Sequence, residues 1–310
     1  MMISTHKPRT MLREISGVFP WYAAMAAIVT TFVACYAFFV QSRVGQWIDE
    51  VALLGGQAFL KADATRKPAL AFLDYMPAVS AGIAAIVLLL AVIRRKDFAR
   101  PIVAGLSILG AAVTSQLLKH VLLERPDLNI SAATGNSFPS GHTTFAAAAV
   151  MSLFLVAPIA QRPLVALLGW SYAAIAGAST LVLGWHRPSD VLAAYLVAAF
   201  WVLLAGLLLR HWHGPTDQPS NLPAHNAGLC QRLLRGFAVL GAVGVSVSMI
   251  LVLALPHPKI SEVTHTGLLF FLGAGLVMIV GSAFVLGYLV LTLFTHFGSA
   301  IRFRVERGME

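Results

Sequence analysis

Residues 137–159 read SFPSGHTTFAAAAVMSLFLVAPI: a polar cluster, Ser137 to His142, opening directly into an apolar run of bilayer-crossing length. Ser140 suits a helix N-cap, with Thr143 and Thr144 following in the first turn. Gly141 lets a ligand approach the backbone closely. First-turn N–H groups have no intrahelical partner and point outward, which makes an anion site. A cap accounts for Ser140 and Gly141 but not for His142, which stands at the mouth of that site.

The rest of the chain has the same character. Of 310 residues 58% are hydrophobic and 11% charged, with a mean hydropathy of +0.79. A soluble domain carries about a quarter charged residues. The apolar runs are continuous rather than alternating, so they predict helices and not barrel strands. The fold class is all-α, a polytopic membrane helical bundle. The net charge of +9 comes from basic residues in short loops and tails, as the positive-inside rule expects, and nucleic acid is not an expected partner. Cys35 and Cys230 have no metal spacing, and His211 and His213 have no Cys or Glu nearby to complete a tetrahedral set, so no metal is expected.

Hydropathy predicts eight spans, at about 19–41, 73–93, 101–119, 140–159, 164–183, 190–209, 236–255 and 267–294. The first is too long for a signal-peptide core and reads as uncleaved. The basic loop Arg94-Arg95-Lys96-Asp97 with Arg100, and the turn Gln161-Arg162-Pro163, belong in the cytoplasm. That divides the chain into a cytoplasmic tail (1–18), a six-span core (19–209), a cytoplasmic linker (210–235), a two-span segment (236–296) and a second cytoplasmic tail (297–310). Residues 46–60 read either as a short amphipathic helix on the membrane surface or as an ordinary connector. The alternation puts both termini in the cytoplasm of a multi-pass cell-membrane protein.

It also brings three polar clusters to the extracytoplasmic face: Lys119 with Arg125-Pro126, the Ser137–His142 stretch, and His186-Arg187-Pro188-Ser189-Asp190. Pro188 suits the first position of a helix. Asp190 follows His186 by four residues, so in a helical turn the two side chains share a face. A carboxylate holding one imidazole nitrogen fixes the tautomer and leaves the other nitrogen to attack or take a proton.

These clusters resemble the type 2 phosphatidic acid phosphatase (PAP2) superfamily of membrane lipid phosphatases. Its pattern is a lysine, six residues and Arg-Pro; then Pro-Ser-Gly-His; then Ser-Arg, five residues, His, three residues and Asp. The middle motif is complete at Pro139 to His142, and the His–Asp spacing is complete at His186 and Asp190. Lys119 and Arg125 are separated by five residues rather than six, and Ser179-Thr180 stands where the family has Ser-Arg.

The resemblance implies a six-helix phosphatase core plus two C-terminal transmembrane helices. It implies metal-independent hydrolysis of a lipid phosphate through a phosphohistidine, without a cofactor. His186 would be the nucleophile, Asp190 its orienting partner, and His142 the acid that protonates the leaving oxygen. Lys119, Arg125, Ser140 and Gly141 would bind the phosphoryl group. Thr180 would offer a hydroxyl there, and Arg187 would stand in for the missing arginine. The substrate would be a prenyl mono- or diphosphate or a phosphatidate-like lipid. Two other readings stay open: a phosphotransferase on the same site, and a non-catalytic lipid-phosphate binder or transporter suggested by Thr180.

Overall fold

Residues 8–60, 66–95, 98–131, 135–213 and 227–296 are described in a computed structural model. Among them are nine α-helices and no strand: α1 (Pro8–Cys35), α2 (Arg43–Leu60), α3 (Arg66–Arg95), α4 (Ala99–Leu117), α5 (Gly141–Val156), α6 (Arg162–Val182), α7 (Pro188–His213), α8 (Ala227–Ala254) and α9 (His265–His296). Two π-helical turns, Tyr36–Val40 and Leu118–Leu122, extend α1 and α4.

Six segments are long and apolar enough to cross a membrane: Val18–Val40, Ala99–Leu122, Ile159–Val182, Pro188–Trp212, Ala227–Ala254 and His265–Thr295. Shorter apolar helices, Val79–Ile93 and Gly141–Val156, take the places of the second and fourth expected spans. The chain is a multi-pass membrane protein built of helices. At 16 residues α5 reaches only about 24 Å, against a hydrocarbon core of roughly 30 Å. It is enclosed by α3, α4, α6 and α7, and most of its residues are buried.

The core is centred on α7. Of its apolar window 72% is buried, against 11% for α8, so α7 is an interior helix and α8 a peripheral one. α7 packs on α1, α2, α4, α5 and α9. The expected linker is narrowed from both sides, because α7 continues to His213 and α8 begins at Ala227. Residues 214–226, the His213 side chain and the tails 1–7 and 297–310 lie outside the described residues.

The stretch 46–60 fits neither expectation. It belongs to α2, which packs on α6, α7 and α9 with Gln46 to Leu53 buried. Its polar residues turn inward because partners for them exist inside the protein, not at a headgroup surface.

Candidate active site

The third motif is shaped by the turn that leaves α6. Gly184 has φ +71°, a left-handed conformation that favours glycine, and a Cβ there would lie 2.5 Å from Gln57 Cγ. Beyond it, the Trp185 and His186 N–H groups both donate to the Thr180 carbonyl oxygen, at 2.9 and 3.2 Å. Pro188 opens α7, where its missing N–H loses nothing. Asp190 stands at the third helical position, and its Oδ2 accepts the Arg187 N–H at 3.0 Å, as in a capping box. The same oxygen lies 3.3 Å from His186 Nδ1. His186 is 7% exposed and Asp190 fully buried. The Nδ1–carboxylate contact favours the tautomer that leaves Nε2 unprotonated.

The second motif is joined to the third through the backbone. Ser140 is the N-cap of α5, in an extended conformation, and its Oγ accepts the Thr143 N–H at 3.3 Å. Its own N–H donates to the Asp190 carbonyl oxygen at 3.0 Å. The Gly141 N–H, at the first helical position, has no intrahelical partner. His142 is exposed, with its ring centroid 5.8 Å from that of Trp185, over the turn that carries His186.

The first motif splits. Lys119 lies in the π-turn, half-buried. Asn136 fastens that turn to the second motif by donating to the carbonyl oxygens of Lys119 (3.1 Å) and Leu123 (2.9 Å). The Arg125 side chain is 3% exposed, yet none of its three guanidinium nitrogens has a hydrogen-bond partner among the described residues. Its nearest opposite charge is Asp49, with Nη2 and Oδ2 4.0 Å apart. Burial, then the Arg187 charge, lowers the Arg125 pKa, while Asp49, Asp190 and Glu50 act the other way. A buried arginine with every donor unsatisfied has the chemistry of an anion site.

Arg187 is held differently. Glu50 Oε2 accepts from its Nε at 3.0 Å and its Nη2 at 2.7 Å, Ser131 from Nη2 at 2.7 Å and Ser137 from Nη1 at 2.9 Å. Burial alone would lower its pKa, but Asp190 and Glu50 outweigh that and raise it. Most of its donors are therefore committed, although its positive charge stays in the cluster. Thr180 departs from the role expected of it: its hydroxyl donates to the Gly177 carbonyl oxygen at 2.7 Å, within its own helix. A phosphoryl oxygen needs a donor, and that proton is in use. What Thr180 supplies is the carbonyl that fixes the His186 backbone.

Sequence reasoning missed the place of α2 at the site. Gln46 Nε2 donates to the Pro126 carbonyl oxygen at 2.9 Å, and Asp49 Oδ1 accepts the Ser189 N–H at 3.2 Å while its Oδ2 accepts from Ser189 Oγ. Burial, reinforced by the Asp190 charge, pushes the Asp49 pKa up to about 7. Positions 46, 49 and 50 fall on one helical face, the one available signal, but that face fits water equally well.

Residues 100–213 match the family model described as PAP2 superfamily. These residues are a PAP2 superfamily region. Over 101 residues the chain is 36% identical to proteins named phosphatidylglycerophosphatase B from Escherichia coli (strain K12) and Shigella flexneri. That match covers 32% of this chain and 38% of each relative, so the chain spans less than half the length of the relatives it matches. No solved structure matches the chain. Helices α2, α8 and α9 lie outside the PAP2 region, although α2 lines the site.

Proposed function

We propose that the protein is a PAP2-type lipid phosphatase working through a phosphohistidine. The observation that carries this reading is Arg125, buried without a hydrogen-bond partner among the described residues, in the charge cluster of the His186–Asp190 pair. A phosphoryl group there satisfies donors that otherwise stay orphaned.

His186 Nε2 attacks phosphorus, forming a P–N bond as the bond to the leaving oxygen breaks. Asp190 keeps Nδ1 protonated and balances the cation that develops on the ring. His142 donates its proton to the leaving oxygen, then takes one from water as that water attacks the phosphohistidine and returns His186. Arg125, Lys119 and the Gly141 N–H neutralise the phosphoryl oxygens. Arg187 adds a charge where the family arginine is missing, and the α5 N-terminus adds its dipole. The chemistry runs without a metal.

The basic loops put the site on the extracytoplasmic face of the cell membrane, with both termini cytoplasmic. The substrate is a lipid phosphate with its headgroup in the outer leaflet, a prenyl phosphate or diphosphate or a phosphatidate-like lipid. The six-span core, 19–209, carries the chemistry, and the segment 236–296 supports it.

Phosphate release from a panel of such lipids, with and without chelator, tests the reading in detergent-purified protein. Turnover abolished by His186→Ala is the expected result. Turnover retained in that variant sinks the nucleophile assignment. Binding without turnover in the wild type marks a lipid-phosphate binder, and phosphate transferred to an alcohol rather than water marks a phosphotransferase.

A further inference from the structure

Helix α2 touches both the Arg125 loop and the third motif. Arg43 Nη1 donates to the Leu128 carbonyl oxygen at 3.0 Å and Gln46 to that of Pro126, which fixes the loop carrying Arg125. Asp49 takes both donors of Ser189, in the first turn of α7, whose N-terminal N–H groups favour a carboxylate. Glu50 takes the Arg187 guanidinium, across 137 residues of sequence. Two of the three residues between His186 and Asp190, Arg187 and Ser189, are thus held by adjacent residues of α2.

Helix α2 is also held from outside the PAP2 region. Trp47 Nε1 donates to the Pro258 carbonyl oxygen at 2.7 Å, in the α8–α9 loop, and its ring meets those of His257 and Phe271 edge-on at 4.8 and 5.1 Å. Gly55 packs directly on the Leu268 carbonyl oxygen. At Gly275 of α9 an added Cβ would lie 2.7 Å from Pro188 Cγ and 3.4 Å from Ala52 Cβ. A small cavity of about 20 Å³ between α2, α8 and α9 is lined by apolar residues apart from Ser248 and Asp49.

We propose that Asp49 and Glu50 are positioning residues for the His186–Asp190 pair, seated by α9 and the α8–α9 loop. This rests on the phosphatase reading of that site. It gives the C-terminal segment a part in catalysis: α9 and the loop before it hold α2, α2 holds Arg187 and Ser189, and those fix the backbone between nucleophile and carboxylate. Neither acid touches substrate.

The test measures kcat and KM on a lipid phosphate for the full-length protein and for Glu50→Ala, Glu50→Gln, Asp49→Asn and Trp47→Phe. Thermal stabilisation by inorganic phosphate serves as an independent count of competent sites. Misplacing a catalytic group by about 1 Å removes on the order of 10²-fold in rate. Glu50→Ala should therefore lower kcat by about that factor with KM little changed. Glu50→Gln, which keeps an acceptor for Arg187, should recover part of the loss. Asp49→Asn and Trp47→Phe should also lower kcat rather than raise KM, and Trp47→Phe combined with Glu50→Ala should cost less than the product of the two. A merely structural role would instead lower the fraction of phosphate-binding protein and leave kcat per competent site unchanged, and that result overturns the proposal. If Glu50→Ala does not fold, kcat per competent site in Glu50→Gln and Trp47→Phe decides between the same two outcomes. If the wild type hydrolyses no lipid phosphate, the phosphatase reading fails. The α2 proposal falls with it, whereas wild-type turnover with an unchanged kcat per competent site in the variants overturns the α2 proposal alone.

Discussion

Ser140 and Asp190 are joined backbone to backbone, the Ser140 N–H donating to the Asp190 carbonyl oxygen at 3.0 Å. The N-cap of α5 and the third residue of α7 are thereby locked together. The distance from the α5 anion site to the His186–Asp190 pair is then set by main-chain geometry, which no side-chain rotamer can alter.

Asp190→Asn should leave that lock in place and still cost activity. The amide keeps the volume but can present a donor to His186 Nδ1, favouring the wrong tautomer. In a comparable histidine–aspartate pair this removes about 10⁴-fold in kcat. A rate assay should show a loss of that order with KM nearly unchanged and little change in melting temperature.

Arg125→Ala should separate binding from stability. The arginine is buried without hydrogen bonds among the described residues and 4.0 Å from Asp49, so its removal relieves a buried cation whose donors are unsatisfied. The ligand-free protein should melt at the same temperature or higher. KM should rise, and stabilisation by inorganic phosphate should disappear.

Ser140→Ala should weaken the α5 cap. The Ser140 Oγ accepts the Thr143 N–H and donates to Thr143 Oγ1 at 3.0 Å. Losing such a cap costs about 1 kcal/mol, read as a lowered denaturation midpoint in detergent.

Asp49 should make stability depend on pH. Its pKa is about 7 in the folded protein, against about 3.9 unfolded. Between those values the folded state holds a proton that the unfolded state has lost, so the contribution is fully present below the unfolded pKa and disappears as pH rises through about 7. Asp190, Arg125 and Arg187 face the same group from the other elements, and Glu50 is its neighbour on α2. The melting temperature should therefore fall as pH rises from 5 to 8, and Asp49→Asn should flatten that slope.

Gly55→Ala should report the α2–α9 contact without altering any site residue. The new methyl group overlaps the Leu268 carbonyl oxygen, and overpacking of this kind costs roughly 1–3 kcal/mol. Calorimetry should show that loss, accompanied by a lowered kcat.

The sequence by itself determined the helical membrane class, the places of the apolar helices and the candidate residues for the chemistry. Each of these is written locally: continuous hydropathy, a cap followed by a long apolar run, and a histidine four residues before an aspartate. Only the tertiary structure decided what surrounds that chemistry. Arg125 and Arg187 are both basic residues beside a proline or a nucleophile in sequence, yet one is buried without hydrogen-bond partners among the described residues and the other is spoken for by Glu50. Thr180 is spent on its own helix, and α2 is an interior wall rather than a surface helix. Partners 137 and 140 residues apart leave no periodic trace in the chain, because a carboxylate on a polar helix face reads the same whether it meets water or an arginine.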